Sequence, residues 1–148
     1  MLLVMSSMAL FSQKSIKLPE PKKSGGMPLM ETLANRSTSR AFSSKNISNQ
    51  QLSNLLWAAF GVNRPDGKRT APSSMNKQEI DIYVLLKNGV YRYDAVKNEL
   101  SLVSGDDVRQ YAGSQDFIKD APVQIVLVAD ISKITNGSET EKLTTAYI

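Results

Sequence analysis

The stretch PSSMNKQEIDIYVLL, residues 72–86, joins a polar run directly to an alternating apolar run. Residues 80–86 place an apolar side chain at every second position, the period at which one face of a β-strand is buried. The dipeptide Asn88-Gly89 follows at once and is a strong signal for a two-residue hairpin turn. Two further short strands are predicted at residues 90–93 and 100–103. The stretch therefore predicts the start of a β-meander.

Two helices are predicted before this meander. Residues 48–60 carry apolar side chains at helical spacing, and Ser48 with Gln51 matches the capping-box pattern of a helix start. Gly61 follows as a natural C-terminal stop. A shorter helix is predicted at residues 28–35, where a proline can occupy the first turn.

Beyond the meander, one more strand and one more helix are predicted. The apolar run at residues 121–131 predicts a central strand that is buried on both faces. Ser138 and Glu141 form another capping-box pattern, followed by an apolar stripe that includes Leu143 and ends at Ile148. A helix that stops on its apolar face without a cap is atypical. We therefore expect a fragment truncated at its C-terminus; the alternative is a natural terminus docked in a partner's groove.

The composition excludes several kinds of chemistry. The 148 residues suffice for one domain with a core. The chain has no cysteine, which excludes disulfides, thiolate catalysis and thiolate metal sites. It has no histidine either, which removes the commonest general base and the commonest zinc ligand. Hydrolase triads and most transition-metal sites cannot be built, so we expect no metal ion.

The net charge of +4 is unevenly distributed. Residues 14–45 hold seven Lys and Arg residues against two Glu, a net +5, so the rest of the chain carries −1. A nucleic-acid-binding surface usually interleaves basic with aromatic residues, and this segment holds only Phe42. We therefore expect no nucleic-acid partner. A solvated basic leader explains Lys14 to Lys23 well, but it explains Arg36 and Arg40 less well.

Residues 1–26 are predicted to stand apart from the domain. Met1 to Gln13 are apolar and small, too short for a membrane span but similar to the apolar region of a secretory signal. Residues 14–26, rich in Lys, Pro, Gly and Ser, predict an exposed basic linker. We therefore expect an exported, periplasmic protein without an integral membrane span. The alternatives are an N-terminal core strand or helix and a cytoplasmic location.

Two polar motifs carry the functional signal. The first, Arg36-Ser37-Thr38-Ser39-Arg40, has two guanidinium groups four residues apart with three hydroxyls between them. Arginine stays charged and offers a planar fork of donors, which suits a phosphate monoester. Taken alone the motif is more often a solvated loop.

The second motif, Pro72-Ser73-Ser74-Met75-Asn76-Lys77-Gln78, is less common. Asn76 can both donate and accept hydrogen bonds, which suits the –CO–NH–CO– edge of an imide, and Ser73 and Ser74 add hydroxyls. A plain turn entering a strand is an equally good interpretation of this motif alone. Together the motifs predict a ligand with a phosphate at one end and an imide-bearing ring at the other, the shape of flavin mononucleotide (FMN).

The order of helix, first motif, helix, second motif and strand resembles the FMN-dependent nitroreductase family, and most nearly its thiazole/oxazole-forming dehydrogenase-like branch. The resemblance covers residues 27–148, which would form the N-terminal part of an FMN-binding domain. It implies an α+β fold with an antiparallel or mixed central sheet flanked by helices. It also implies a homodimer with FMN at the subunit interface, and ping-pong hydride transfer from NAD(P)H to a small-molecule acceptor.

The resemblance also implies site residues and departures. Arg36, Ser37, Thr38 and Arg40 would hold the FMN phosphate and ribityl chain, and Asn76 would meet the polar edge of the ring. Pro72, Ser73 and Ser74 would line the ring, from the other subunit. No side chain need act as a catalytic acid or base. The family's later helix, its glycine-containing stretch and its C-terminal basic residue are missing, and Glu79-Ile80 replaces the family's common Pro-aromatic pair.

Three functions stay open at the level of sequence. The first is an FMN oxidoreductase acting on nitro compounds, quinones, enones or azoline heterocycles. The second is a non-catalytic, exported α+β module that binds a phosphate-bearing ligand. The third is a structural domain in which both motifs are loops.

Overall fold

The backbone forms one antiparallel sheet with a long helix packed on it. The computed structural model describes residues 15–147; the signal-like segment Met1 to Gln13 and residue Ile148 lie outside them. The strand order is β1-β4-β3-β2-β5, and every pairing is antiparallel. The α+β class with an antiparallel sheet is confirmed. The strands are β1 (Ser15–Lys17), β2 (Ile80–Leu86), β3 (Gly89–Asp94), β4 (Glu99–Ser104) and β5 (Gln124–Ala129); the helices are α1 (Leu29–Asn35), α2 (Asn49–Phe60) and α3 (Glu139–Tyr147).

The predicted meander is present as β2, β3 and β4, but its first turn is shifted by one residue. Leu86 pairs with Gly89, so the turn residues are Lys87 and Asn88. Gly89 is the first residue of β3, with φ of 140°. A Cβ there would lie 2.4 Å from the Ser104 carbonyl oxygen. The glycine is therefore required both by its positive φ at the end of the turn and by the close packing of β3 on β4.

Helix α2 begins with the predicted capping box. The Ser48 hydroxyl accepts a hydrogen bond from the Gln51 amide at 3.2 Å, and the Ser48 amide donates to the Gln51 side chain at 3.0 Å. One face of the helix then buries Leu52, Leu56 and Phe60 on the sheet. The apolar residues that meet them come from β2, β3, β4 and the segment after β1: Leu18, Ile82, Val84, Tyr91, Tyr93 and Leu100.

Gly61 ends α2 for a reason other than the one predicted. Its φ of −72° and ψ of 158° are extended, so it does not adopt the left-handed conformation typical of helix ends. A Cβ at this position would lie 2.3 Å from Cδ1 of Trp57 and 2.7 Å from the Trp57 Cα. The chain leaves the helix so closely past its last turn that only glycine fits.

The predicted exposed linker is wrong for residues 15–21. Residues 15–17 form β1 and pair with β4, and Leu18 is 3% exposed in the core. The backbone carbonyl of Pro19 accepts hydrogen bonds from the Asn98 side-chain amide at 2.7 Å and from the Ser53 hydroxyl at 2.5 Å. The polar composition concealed a strand because an edge strand needs few apolar residues.

The apolar run at residues 121–131 does form a strand, but not the central one. β5 lies at the edge of the sheet and pairs only with β2 among the described residues. Its second half is open, with Leu127 62% and Val128 42% exposed. A continuous apolar run cannot show which neighbour covers it, so the predicted burial on both faces is wrong within residues 15–147.

Helices α1 and α3 form where they were predicted, yet α1 buries nothing. None of its residues is buried, and Leu29, Met30 and Leu33 are 71%, 76% and 55% exposed. α3 begins with Ser138 and Glu141 bonded to each other as expected of a capping box. Within the part of the chain that the structure describes, no helix is both long and apolar enough to cross a membrane.

Candidate functional site

The first motif lies in an exposed loop directly after α1. Arg36 has an extended backbone at the helix end, and residues 36–40 are all exposed. The Arg40 guanidinium lies 6.0 Å from the centre of the Phe117 ring, and Phe42 packs 6.3 Å from the same ring. Neither Arg36 nor Arg40 forms an ion pair with a carboxylate of the described residues. Both charges are therefore free to meet an anion.

The second motif is a tight turn held by its own hydrogen bonds. The Ser73 hydroxyl accepts from the Gln78 amide at 2.8 Å, and the Ser73 carbonyl accepts from the Asn76 amide at 3.0 Å. Pro72, Ser74 and Asn76 are exposed. Met75, Asn76 and Gln78 have φ of 47°, 54° and 49°, in the left-handed region. Three strained non-glycine residues within four positions are typical of a functional site.

Exchanging Met75 for glycine is expected to raise the free energy of unfolding by about 0.5–1 kcal/mol, and exchanging it for valine to lower it by about 1 kcal/mol. Left-handed backbone costs an L-residue roughly 1–2 kcal/mol, of which glycine's greater freedom when unfolded offsets about 0.5–1 kcal/mol. A β-branched residue fits this region worst. Met75 is 71% exposed, so neither change removes packing. In urea denaturation the Met75→Gly variant should be the most stable protein, the parent should be intermediate, and the Met75→Val variant should be the least stable. A valine variant as stable as the parent would contradict the left-handed backbone conformation.

A side chain that the sequence did not single out supports the second motif. Asn76 Oδ1 accepts from Gln78 Nε2 at 3.2 Å, and Gln78 Oε1 accepts from Arg69 Nε at 2.9 Å. The Arg69 guanidinium also lies 5.4 Å from the centre of the Phe60 ring at the end of α2. Arg69 thus ties the turn to the core. The only signal in the sequence was one more basic residue in a turn-rich loop.

Two cavities flank the second motif, and Arg69 lines both. The smaller, of about 190 Å³, is bordered by Arg64, Lys68, Ser73 and Asn76. The larger, of about 320 Å³, reaches Phe60 and Tyr93 in the core. Burial raises the pKa of Tyr93 to about 12, so its phenol remains protonated at neutral pH. Arg64, Lys68 and Arg69 therefore make the surroundings of the motif basic.

The chain does not bring the two motifs together. The second motif leads into Ile80, which pairs with Ala129 at one end of the β2–β5 ladder. The first motif packs on Phe117, in the 3₁₀ turn that leads into Gln124 at the other end. Six residue pairs separate these ends, roughly 17 Å at about 3.3 Å per residue. Each motif is well formed, but within one chain the two motifs lie near opposite ends of the β2–β5 ladder.

These features define an α+β protein with two separated polar motifs, and no group of side chains that could hold a metal ion is found among residues 15–147. A family model described as the nitroreductase family matches residues 33–148. The chain belongs to the nitroreductase family.

Two relatives agree with this assignment. A protein of Methanocaldococcus jannaschii, provisionally named a nitroreductase, is 27% identical over 130 residues, covering 81% of this chain and 64% of its own. A crystal structure of a protein from Ralstonia eutropha, also provisionally named a nitroreductase, has a TM-score of 0.83 at 43% identity. That match covers 93% of this chain and 66% of the other. The chain thus spans just under two thirds of the length of both relatives.

Proposed function

We propose that the protein is an FMN-dependent oxidoreductase that passes a hydride from NAD(P)H to a small organic acceptor, with the flavin bound between two copies of the chain. Within the family, we place it nearest the thiazole/oxazole-forming dehydrogenase-like branch. The observation that carries the proposal is the pair of motifs: unpaired arginines among hydroxyls at one end of the sheet, and a strained polar turn at the other.

The first motif fits the phosphate end of FMN. Arg36 and Arg40 have no carboxylate partner among the described residues, so a phosphate would neutralise them at little cost. Charge-assisted hydrogen bonds of this kind contribute about 1.5–3 kcal/mol each. The hydroxyls of Ser37 and Thr38 are exposed in the same loop and can bond the ribityl chain.

The second motif fits the polar edge of the ring. Asn76 lies exposed in left-handed backbone, and its side-chain nitrogen Nδ2 makes no hydrogen bond to the described residues, while its side-chain oxygen accepts from Gln78. An amide can both donate to and accept from an imide edge. Pro72, Ser73 and Ser74 precede it in extended or turn conformation and can form the wall beside the ring.

A second copy of the chain supplies what one copy lacks. Within one chain, a single ligand would have to extend across the sheet to contact both motifs. In a two-fold pair, one motif from each copy can lie next to the same ligand. The exposed apolar face of α1, next to the first motif, favours the same arrangement, since Leu29, Met30 and Leu33 otherwise remain in water.

The protein's residues need only bind and orient. FMN, when bound, supplies the ring that takes up a hydride and gives it to the acceptor. The chain has neither histidine nor cysteine, and both motifs offer cations, hydroxyls and amides rather than proton-transfer groups. Their work is to fix the cofactor and to stabilise its negative charge.

The test is complementation between two inactive variants. Arg36→Ala should weaken FMN binding about 10- to 100-fold, by the loss of charge-assisted hydrogen bonds. Asn76→Gly removes the ring-edge amide and leaves the left-handed backbone unstrained. Each variant alone should bind FMN poorly. A mixed dimer, isolated with two affinity tags, carries one doubly altered site and one intact site, and it should bind one FMN per dimer with parental affinity by absorbance titration.

Arg92→Ala is the matched control, because Arg92 is an exposed arginine of β3 outside both motifs. It should bind FMN as the parent does. If the mixed dimer binds FMN as weakly as the two single variants do, both motifs of a site belong to one subunit. Unchanged FMN binding in Arg36→Ala would remove the phosphate assignment altogether.

A further inference from the structure

A cavity of about 320 Å³ opens beside the second motif, between the end of α2 and the start of β2. Its polar lining comes from Arg69, Lys77, Gln78, Asp81 and Lys133, which belong to separate segments of the chain. The family resemblance gives no role to Arg69, Lys77 or Lys133. The cavity is therefore a built feature that the flavin motifs leave unexplained.

The charges around this cavity do not balance. Lys133 Nζ lies 2.8 Å from Asp81 Oδ1, and that pair neutralises itself. Lys77 Nζ donates to the Thr135 hydroxyl at 3.1 Å and meets no carboxylate among the described residues. Arg69 likewise has no carboxylate partner there, and its Nη1 is buried without a hydrogen-bond acceptor. Two positive charges thus face the cavity uncompensated, which favours an anion.

The remaining walls suit a flat, apolar body. Phe60 and Ile80 line the cavity from α2 and β2, and Tyr93 and Ala95 line it from the β3 side. Phe60 and Tyr93 are each 8% exposed, so this side of the cavity is part of the core and is already fixed. Ligand sites span about 300–1,000 Å³, and this one is at the lower limit. It has room for a single ring rather than for a dinucleotide.

We propose that this cavity binds a small aromatic anion, whose carboxylate or phosphate is held by Lys77 and Arg69 and whose ring lies against Phe60 and Tyr93. This proposal rests on the cavity alone and does not depend on the proposed function. The ring would then lie next to Gln78, two residues from Asn76 of the flavin motif.

Calorimetric titration of the FMN-free protein tests the binding directly. Benzoate and phenyl phosphate are the anionic probes, and benzamide is the neutral probe of the same shape as benzoate. Benzoate should bind at least 10-fold more tightly than benzamide. Lys77→Gln should weaken benzoate binding about 10-fold, whereas Lys87→Gln, an exposed lysine in the turn at the far end of β2, should leave it unchanged. Methyl NMR signals of Ile80 and Ala95 should shift on titration.

Three outcomes would overturn the proposal. Equal binding of benzoate and benzamide would show that the negative charge is not recognised. An equal loss of benzoate affinity in Lys77→Gln and Lys87→Gln would show that Lys77 does not hold the anion, and NMR shifts confined to other methyl groups would show that the ligand binds elsewhere. Tighter binding of phenyl phosphate than of benzoate would identify a phosphate as the natural group, and the reverse a carboxylate. Failure of the proposed function is seen separately: FMN would not bind, while benzoate binding to the FMN-free protein would be unaffected.

Discussion

Replacing Leu56 by alanine is expected to lower the free energy of unfolding by about 2–5 kcal/mol. Leu56 is 0% exposed and lies at the centre of the α2 face, in the cluster that includes Val84 and Leu100 of the sheet. Truncation removes its transfer free energy and leaves a cavity that a helix fixed at both ends cannot close. The loss should appear as a lower urea midpoint with an unchanged dependence on urea concentration.

Leu55→Ala is the matched control for this experiment. It is the same substitution at the adjacent helix position, but Leu55 is 45% exposed, so its loss should cost well under half as much. Comparable destabilisation by the two variants would show that α2 is rotated about its axis relative to the sheet.

Replacing Asn98 by alanine is expected to cost about 2–4 kcal/mol, although it lies in a turn. Its side-chain amide donates to the Pro19 carbonyl at 2.7 Å and to the Ser53 hydroxyl at 3.1 Å, and its Oδ1 accepts from the Tyr93 hydroxyl at 3.3 Å. Ser53 is 0% exposed. The variant leaves the partly buried Tyr93 hydroxyl without its acceptor, at about 1–3 kcal/mol for a buried group left unpaired, and it leaves the Ser53 hydroxyl and the Pro19 carbonyl with only the hydrogen bond between them. It also places alanine at φ of 50°, which asparagine tolerates better.

Asn88→Ala serves as the comparison for Asn98→Ala. Asn88 is an exposed turn asparagine of the other hairpin, and only its backbone carbonyl accepts a side-chain hydrogen bond, from the Tyr91 hydroxyl. Its replacement should change the free energy of unfolding by less than about 0.5 kcal/mol. The measurement is the melting temperature of the two variants, which should be clearly lower for Asn98→Ala. Equal melting temperatures would mean that the hydrogen bonds of Asn98 do not hold the N-terminal segment in solution.

Local patterns in the sequence predicted the elements that local forces build. The capping boxes at Ser48 and Ser138 and the alternation of residues 80–86 depend on residues a few positions apart, and each is present. The hairpin at Asn88-Gly89 was predicted one residue off because Gly89 serves packing against Ser104, which is distant in sequence.

Long-range contacts explain what the sequence could not show. The pairing of Ser15 with Ser101 turned a predicted linker into β1, and nothing within residues 14–26 encodes that partner. The apolar run at residues 121–131 predicted a strand but not its place at the edge, because the order of strands depends on which neighbours remain free.

The candidate site, too, has a part that the sequence predicts and a part that depends on long-range contacts. The residue types of Arg36, Arg40 and Asn76 could be chosen from their chemistry, and the structure leaves them exposed and available. That the two motifs lie at opposite ends of β2 and β5 follows only from the sheet pairing. Arg69 was missed because its importance comes from contacts with Gln78 and Phe60, not from its surroundings in the sequence.

The bare surface of α1 has a consequence for how such a protein would behave on dilution. Arg36 directly follows a helix that buries none of its residues against its own chain. If a second copy covers Leu29 and Met30, cofactor binding and subunit association are thermodynamically linked, and each strengthens the other by the same factor. The apparent dissociation constant for FMN would then rise as the protein concentration falls, so that a preparation could lose its yellow colour on dilution without any unfolding.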